Sequence, residues 1–150
     1  MSMEGSHHKK NVTSTLPEFP NCFVCGQKNP RGLKVQFNLE GKEARACFVP
    51  DETLAGYKNR VHGGIISALL DEALIWASFA STRQFGMTAE LTVRFKKPLL
   101  SGTSCKITGY LTDHTKRVWS AEAKIEDQNG NMLAKAQGKI IPMSTDDEKV

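Results

Sequence analysis

Val61-His62-Gly63-Gly64-Ile65-Ile66-Ser67-Ala68-Leu69-Leu70-Asp71-Glu72-Ala73-Leu74-Ile75-Trp76-Ala77-Ser78-Phe79-Ala80 is the stretch that decides the fold. From Ile65 onward it is rich in good helix formers, apolar on nearly every face and free of proline. It therefore predicts the one long helix of the chain. A helix apolar almost all round is buried almost all round. Yet Asp71 and Glu72 stand in its middle, and a buried carboxylate is costly unless it has a partner or a task. The helix start carries a second signal. Gly63 and Gly64 follow His62 where a side-chain cap is expected, which leaves the first N–H groups uncovered at the positive end of the helix dipole. An open helix start binds anions or polarises carbonyls.

Around this stretch lie 150 residues, 39% of them hydrophobic, enough for one domain with its own core. No apolar run is expected to approach the length of a membrane span, and the first ten residues do not resemble a signal peptide. A cytoplasmic location, no membrane partner and four reduced cysteines are the resulting expectations. The net charge of +4 suits an anionic small-molecule ligand better than nucleic acid.

Outward from the helix, the pattern is that of strands. Residues 1–18 are polar and aperiodic and read as a flexible tail, as do 144–150, leaving a single domain over 19–143. Phe19 to Gly32 is dense in turn formers. Leu33, Val35, Phe37 and Leu39 then alternate with polar residues, and Ala44, Ala46 and Phe48 do so after the Gly41-Lys42 turn. Beyond the helix, four apolar sets alternate in turn. They are Ala89/Leu91/Val93/Phe95, Cys105/Ile107/Gly109/Leu111, Trp119/Ala121/Ala123/Ile125 and Met132/Ala134/Ala136/Ile140. Asn129-Gly130 marks a hairpin between the last two. Two strands, one helix and four strands, with short links, give an α+β domain in which an antiparallel sheet of about six strands wraps the helix.

These features together resemble the hotdog-fold acyl-CoA thioesterases, and the phenylacetate-degradation branch in particular. The likeness rests on His62-Gly63-Gly64 with Asp71 nine residues after the histidine, on Cys22-x-x-Cys25-Gly26, on Asn29-Pro30-x-Gly32-Leu33 and on Arg94-Phe95-x-x-Pro98 followed by Gly102. The resemblance implies that Asp71 is the catalytic carboxylate. It implies that the Gly63 N–H polarises the thioester carbonyl and that Thr88 assists the water or the carboxylate. One departure stands out. Members of the group often carry Asn or Gln six residues before the histidine, where this chain has Gly56, and Asn59 is the candidate substitute.

Hydrolysis of an acyl-CoA needs a base or nucleophile, a donor for the oxyanion and a place for coenzyme A, and no cofactor. Asp71 can fill the first role as general base or as nucleophile, Gly63 the second. Gly64, Arg60, Arg94, Lys96 and Lys97 are the candidate coenzyme A contacts, with Arg31 and Lys34 nearer the N-terminus. Gly63 and Asp71 lie about 12 Å apart along one helix, so one carbonyl cannot touch both within one chain. Granted both roles, the active unit is a homodimer sharing its site, open to pairing into tetramers.

Plainer readings run beside these. His62 can be a cap rather than a catalytic group, Glu72 points about 100° from Asp71 and reads as an interface or network residue, and Trp76 and Phe79 read as core or pocket wall. Cys22 and Cys25 have zinc-ligand spacing, but a single Cys-x-x-Cys without further donors favours no metal. A non-catalytic acyl-CoA binding module and an acyl-thioester hydratase or dehydratase remain as alternative functions.

Overall fold

Helix α1 spans Gly63–Thr82 and ends where Arg83 turns left-handed (φ 59°), its N–H returning to the Phe79 carbonyl. The computed structural model describes residues 16–144. Most of both expected tails falls outside the described residues, and Leu16 already packs against the core. The strands are β1 (Asn38–Glu40), β2 (Glu43–Phe48), β3 (Ala55–Tyr57), β4 (Arg60–Val61), β5 (Gly86–Phe95), β6 (Cys105–His114), β7 (Trp119–Glu126) and β8 (Met132–Pro142). Six of them form one sheet in the order β1-β2-β6-β7-β8-β5, antiparallel at every step. The sheet wraps α1, and the domain is the expected α+β hotdog fold.

Small residues let the sheet curl this closely. Ala44, Ala46, Ala121, Ala123, Ala134 and Ala136 are all buried on its inner face. At Gly109 the strand touches the helix backbone itself, because a Cβ there would overlap the Ala73 carbonyl. Leu69, Leu70, Ala73, Leu74 and Ala77 are completely buried on the side of the helix that meets the sheet.

Several expectations need correcting. The helix is not buried all round: Ala68, Asp71, Glu72, Ile75 and Phe79, on the side away from the sheet, are only half-buried. It is also long and apolar enough, by length and composition alone, to cross a membrane, with half of that window buried here. The strand expected from Leu33 begins only at Asn38. The N–H groups of Leu33 and Val35 bond instead to the carbonyls of Phe23 and Val24, which ties this segment to the turn-rich one before it. The β3–β4 hairpin is an addition to the expected strands, too short to show in an alternation pattern.

The largest correction lies in β5. The pairing with β8 shifts between Thr88 and Glu90, so Ala89 is an extra residue, a bulge that reverses the facing of everything before it. Ala89, expected inward, is exposed, and Phe95 is 54% exposed. Thr88 now lies opposite the buried Ile140, on the inner face. Substituting Gly109 by alanine should lower the unfolding free energy by about 1–3 kcal/mol, the usual cost of overpacking, as measured by urea denaturation. A loss below about 0.5 kcal/mol would mean that the helix simply moves aside.

Candidate active site

The helix start is less open than its two glycines imply. His62 is the N-cap, and its Nδ1 accepts the Gly64 N–H at 2.8 Å. Gly64's amide is thereby taken, which corrects the expectation that both glycine amides are bare. No described residue accepts a hydrogen bond from the Gly63 N–H. The ring of Phe95 lies over Gly63, 3.4 Å from where a Cβ would stand. A Cβ at 63 would meet that ring at ordinary contact distance.

Asp71 sits near the middle of α1, on its half-buried side. The Thr88 hydroxyl donates to its Oδ1 at 2.6 Å, a short bond of the charge-assisted kind. The β5 bulge makes this bond possible, since without it the hydroxyl would point away from the helix. Asp71 Oδ2 has no hydrogen-bond partner among the described residues. The carboxylate is thus fixed by one oxygen and open at the other.

The basic residues gather at the same end of the domain as Gly63. Arg94, Lys96 and Lys97 flank or follow Phe95, whose ring touches the helix start. Arg60 pairs with Leu100 in an isolated bridge, which brings β4 beside the same chain segment. All four cations are exposed. Lys97 also contributes, after the hydrogen bonds from Asn131, to holding Asp127 below the usual carboxylate range. Arg31 and Lys34 are exposed and lie in the N-terminal segment, and Lys34 Nζ donates to the Asn29 carbonyl at 2.7 Å.

Glu72 faces elsewhere. Its Oε2 accepts from Trp76 Nε1 at 3.1 Å and from the Cys22 thiol at 3.5 Å. Cys25 lies in the same cluster, and burial, followed by the adjacent Glu72 carboxylate, raises its thiol well above the usual cysteine range. Such a thiol is no nucleophile near neutral pH. The Glu72–Trp76 pair, four residues apart on one helix face, is visible in the sequence as spacing alone.

A family model described as the thioesterase superfamily matches residues 58–134, about half of the chain. The chain belongs to the thioesterase superfamily. An uncharacterized protein of Schizosaccharomyces pombe is 33% identical over 109 residues, covering 69% of this chain and 62% of that protein. The chain therefore spans less than two-thirds of that relative's length. Among solved structures, the thioesterase superfamily protein RHA08564 is 25% identical, with a TM-score of 0.75 over 83% of this chain and 63% of that one. The E. coli PaaI protein of the phenylacetic acid degradation operon is 18% identical (TM-score 0.69; 75% of this chain, 81% of that one). Protein smu.793 of Streptococcus mutans, solved bound to acetyl CoA, is 16% identical (TM-score 0.69; 73% and 89%). These last two share the fold.

Within the superfamily this chain's departure at Gly56 has a structural counterpart. A Cβ on Gly56 would stand 3.2 Å from His62 Cα and 3.3 Å from its ring, so a side chain there would fit tightly against the capping histidine. Asn59 takes the turn of the β3–β4 hairpin at φ 62°, exposed, its carbonyl accepting the Ser101 N–H at 3.1 Å. The structure gives it a turn role and does not bring it to Asp71. His62→Ala should cost about 1 kcal/mol of stability through the lost cap, and His62→Asn should recover most of it. Equal losses in the two variants, read by thermal unfolding, would show that the ring does something other than cap.

Proposed function

We propose that the protein is an acyl-CoA thioesterase that hydrolyses a small or medium acyl-CoA to the free acid and coenzyme A, working as a homodimer with a shared site. The observation that carries this reading is the Thr88–Asp71 hydrogen bond at 2.6 Å. It fixes a half-buried carboxylate while leaving Oδ2 open toward the helix face that the sheet does not cover.

In this reading a water molecule attacks the thioester carbonyl carbon and passes its proton to Asp71 Oδ2. The Gly63 N–H of the second subunit stabilises the resulting oxyanion. The tetrahedral intermediate collapses, the carbon–sulfur bond breaks, and the departing thiolate takes the proton held by Asp71, which gives coenzyme A and restores the carboxylate. Direct attack by Asp71, forming an anhydride, would use the same geometry. Thr88 holds the carboxylate in register in either case.

Two features support the shared site. Both groups lie on α1, separated by about 12 Å, so a single helix cannot offer both to one carbonyl. The half-buried stripe of Ala68, Asp71 and Ile75 is apolar apart from its acid and suits burial against a second copy of the helix. The strand β5, at the end of the sheet order, carries the exposed Met87 and Phe95 and gives such a copy an edge to extend. Arg60, Arg94, Lys96 and Lys97, around the Gly63 amide, are the proposed contacts for the phosphates of coenzyme A, which smu.793 binds in acetylated form.

Thiol release from a panel of acyl-CoAs tests the proposal. Asp71→Asn should lower kcat/KM by roughly 100- to 10,000-fold, and Thr88→Ala by about 10- to 100-fold, the worth of a hydrogen bond to a charged group. The double variant Arg94→Ala/Lys96→Ala should weaken acyl-CoA binding with a smaller effect on kcat. Acyl-CoA binding without turnover in the unaltered protein would instead mark a binding module. A sedimentation analysis showing a fully active monomer would overturn the shared site.

A further inference from the structure

Cys22 and Cys25 take no part in the thioester chemistry, and in the sequence they offer only two donors. The fold supplies a third, from 47 residues beyond Cys25. One ligand atom each from Cys22, Cys25 and Glu72 lies within 4.8 Å of the others, all three residues half-buried. We propose that Cys22, Cys25 and Glu72 bind a zinc ion that clips the N-terminal segment to α1, with solvent in the fourth position.

The local geometry is that of a prepared ligand set. The Cys25 N–H donates to Cys22 Sγ at 3.4 Å, and the Gly26 N–H returns to the Cys22 carbonyl at 2.9 Å. Gly26 is obligatory in this turn, because any Cβ there would run into the Pro20 carbonyl and the Cys22 backbone. The loop therefore wraps back on Cys22 with both sulfurs on the same side as Glu72. On the helix side, the Trp76 indole N–H aims Glu72 Oε2, the outer-shell support that ligating carboxylates usually have. Zinc–sulfur and zinc–oxygen bonds of about 2.3 and 2.1 Å, at a tetrahedral angle, put the two ligand atoms about 3.6 Å apart. Cys22 Sγ and Glu72 Oε2 are 3.5 Å apart.

The segment also needs a fastening. Residues 16–37 contain no helix or strand and are held to the core mainly by Val24, Val35 and Phe37 and by the Phe19 ring against Trp76 and Phe85. Two thiolates with one carboxylate favour zinc over harder divalent ions. Binding would exchange the two thiol protons for the metal and release them to solvent. The site lies on the Glu72 face of α1, about 100° around from Asp71, so it serves folding of the segment and not the thioester.

The test uses the full-length protein, purified under reducing conditions and supplied with zinc, then with cobalt as a spectroscopic substitute. About one zinc per chain is expected by elemental analysis. Cobalt should give thiolate-to-metal charge-transfer absorption together with intense tetrahedral visible bands. Cys22→Ser and Cys25→Ser should each reduce zinc to background, and Glu72→Gln should weaken binding by at least about ten-fold. Trp76→Phe, which leaves all three ligands in place, should weaken binding by about 10- to 100-fold. Chelation of the zinc form should increase proteolytic cleavage within residues 16–37 while leaving the rest of the chain protected. Zinc at background in the unaltered, reduced and zinc-supplied protein would overturn the proposal, as would a cobalt spectrum unchanged in Cys25→Ser or in Glu72→Gln.

Discussion

The close contact between a strand and the helix at the centre of the domain governs how the remaining elements are placed. Because β6 has no side chain at Gly109, its backbone lies against the Ala73 carbonyl, nearer than any larger residue would allow. The buried alanines of β2, β7 and β8 continue the same tight fit. A sheet drawn in this closely covers one side of a single helix thoroughly and leaves the other half-covered. The fold thus has an apolar interior formed with β-branched, leucine and alanine residues, and a second helix face still to be satisfied. Asp71 stands on that second face.

Much of this is legible in the chain itself. The long apolar helix, the strand order around it and the small inward residues follow from periodicity and residue size, because burial on one face imposes a period that sequence displays directly. The pairing of Asp71 with Thr88 is legible only through resemblance. Alternation alone puts Thr88 on the outer face of β5, opposite to Ala89 and Leu91. The bulge at Ala89 reverses that facing, and nothing in Thr88-Ala89-Glu90 announces it, with no glycine or proline to mark the irregularity. Its cause is the pairing partner: Ile140 and Lys139 of β8 fix which residues of β5 face inward, and that register is a property of the assembled sheet.

The helix start shows the converse. Two consecutive glycines after His62 suggest a bare N-terminus by composition, since histidine is not a preferred cap. The structure has the imidazole turn back to accept from Gly64, which narrows the open end to a single amide. A side chain's direction at a helix boundary depends on the φ and ψ of one residue, here −60° and 137°, and on what lies beside it. Gly56 leaves room for the ring on that side.

Two adjacent carboxylates in the middle of a core helix would oppose folding if they shared an environment. They do not, because successive residues on a helix diverge by about 100°. Asp71 turns toward β5 and receives the Thr88 hydroxyl; Glu72 turns toward the N-terminal segment and receives the Trp76 indole and the Cys22 thiol. Asp71 thus takes its donor from a strand at the edge of the sheet, and Glu72 takes one from its own helix and one from a segment without regular structure. The helix is in this sense a shared anchor. Its apolar side gathers the sheet, and its two acids bond one to the strand at the sheet's edge and the other to the N-terminal segment.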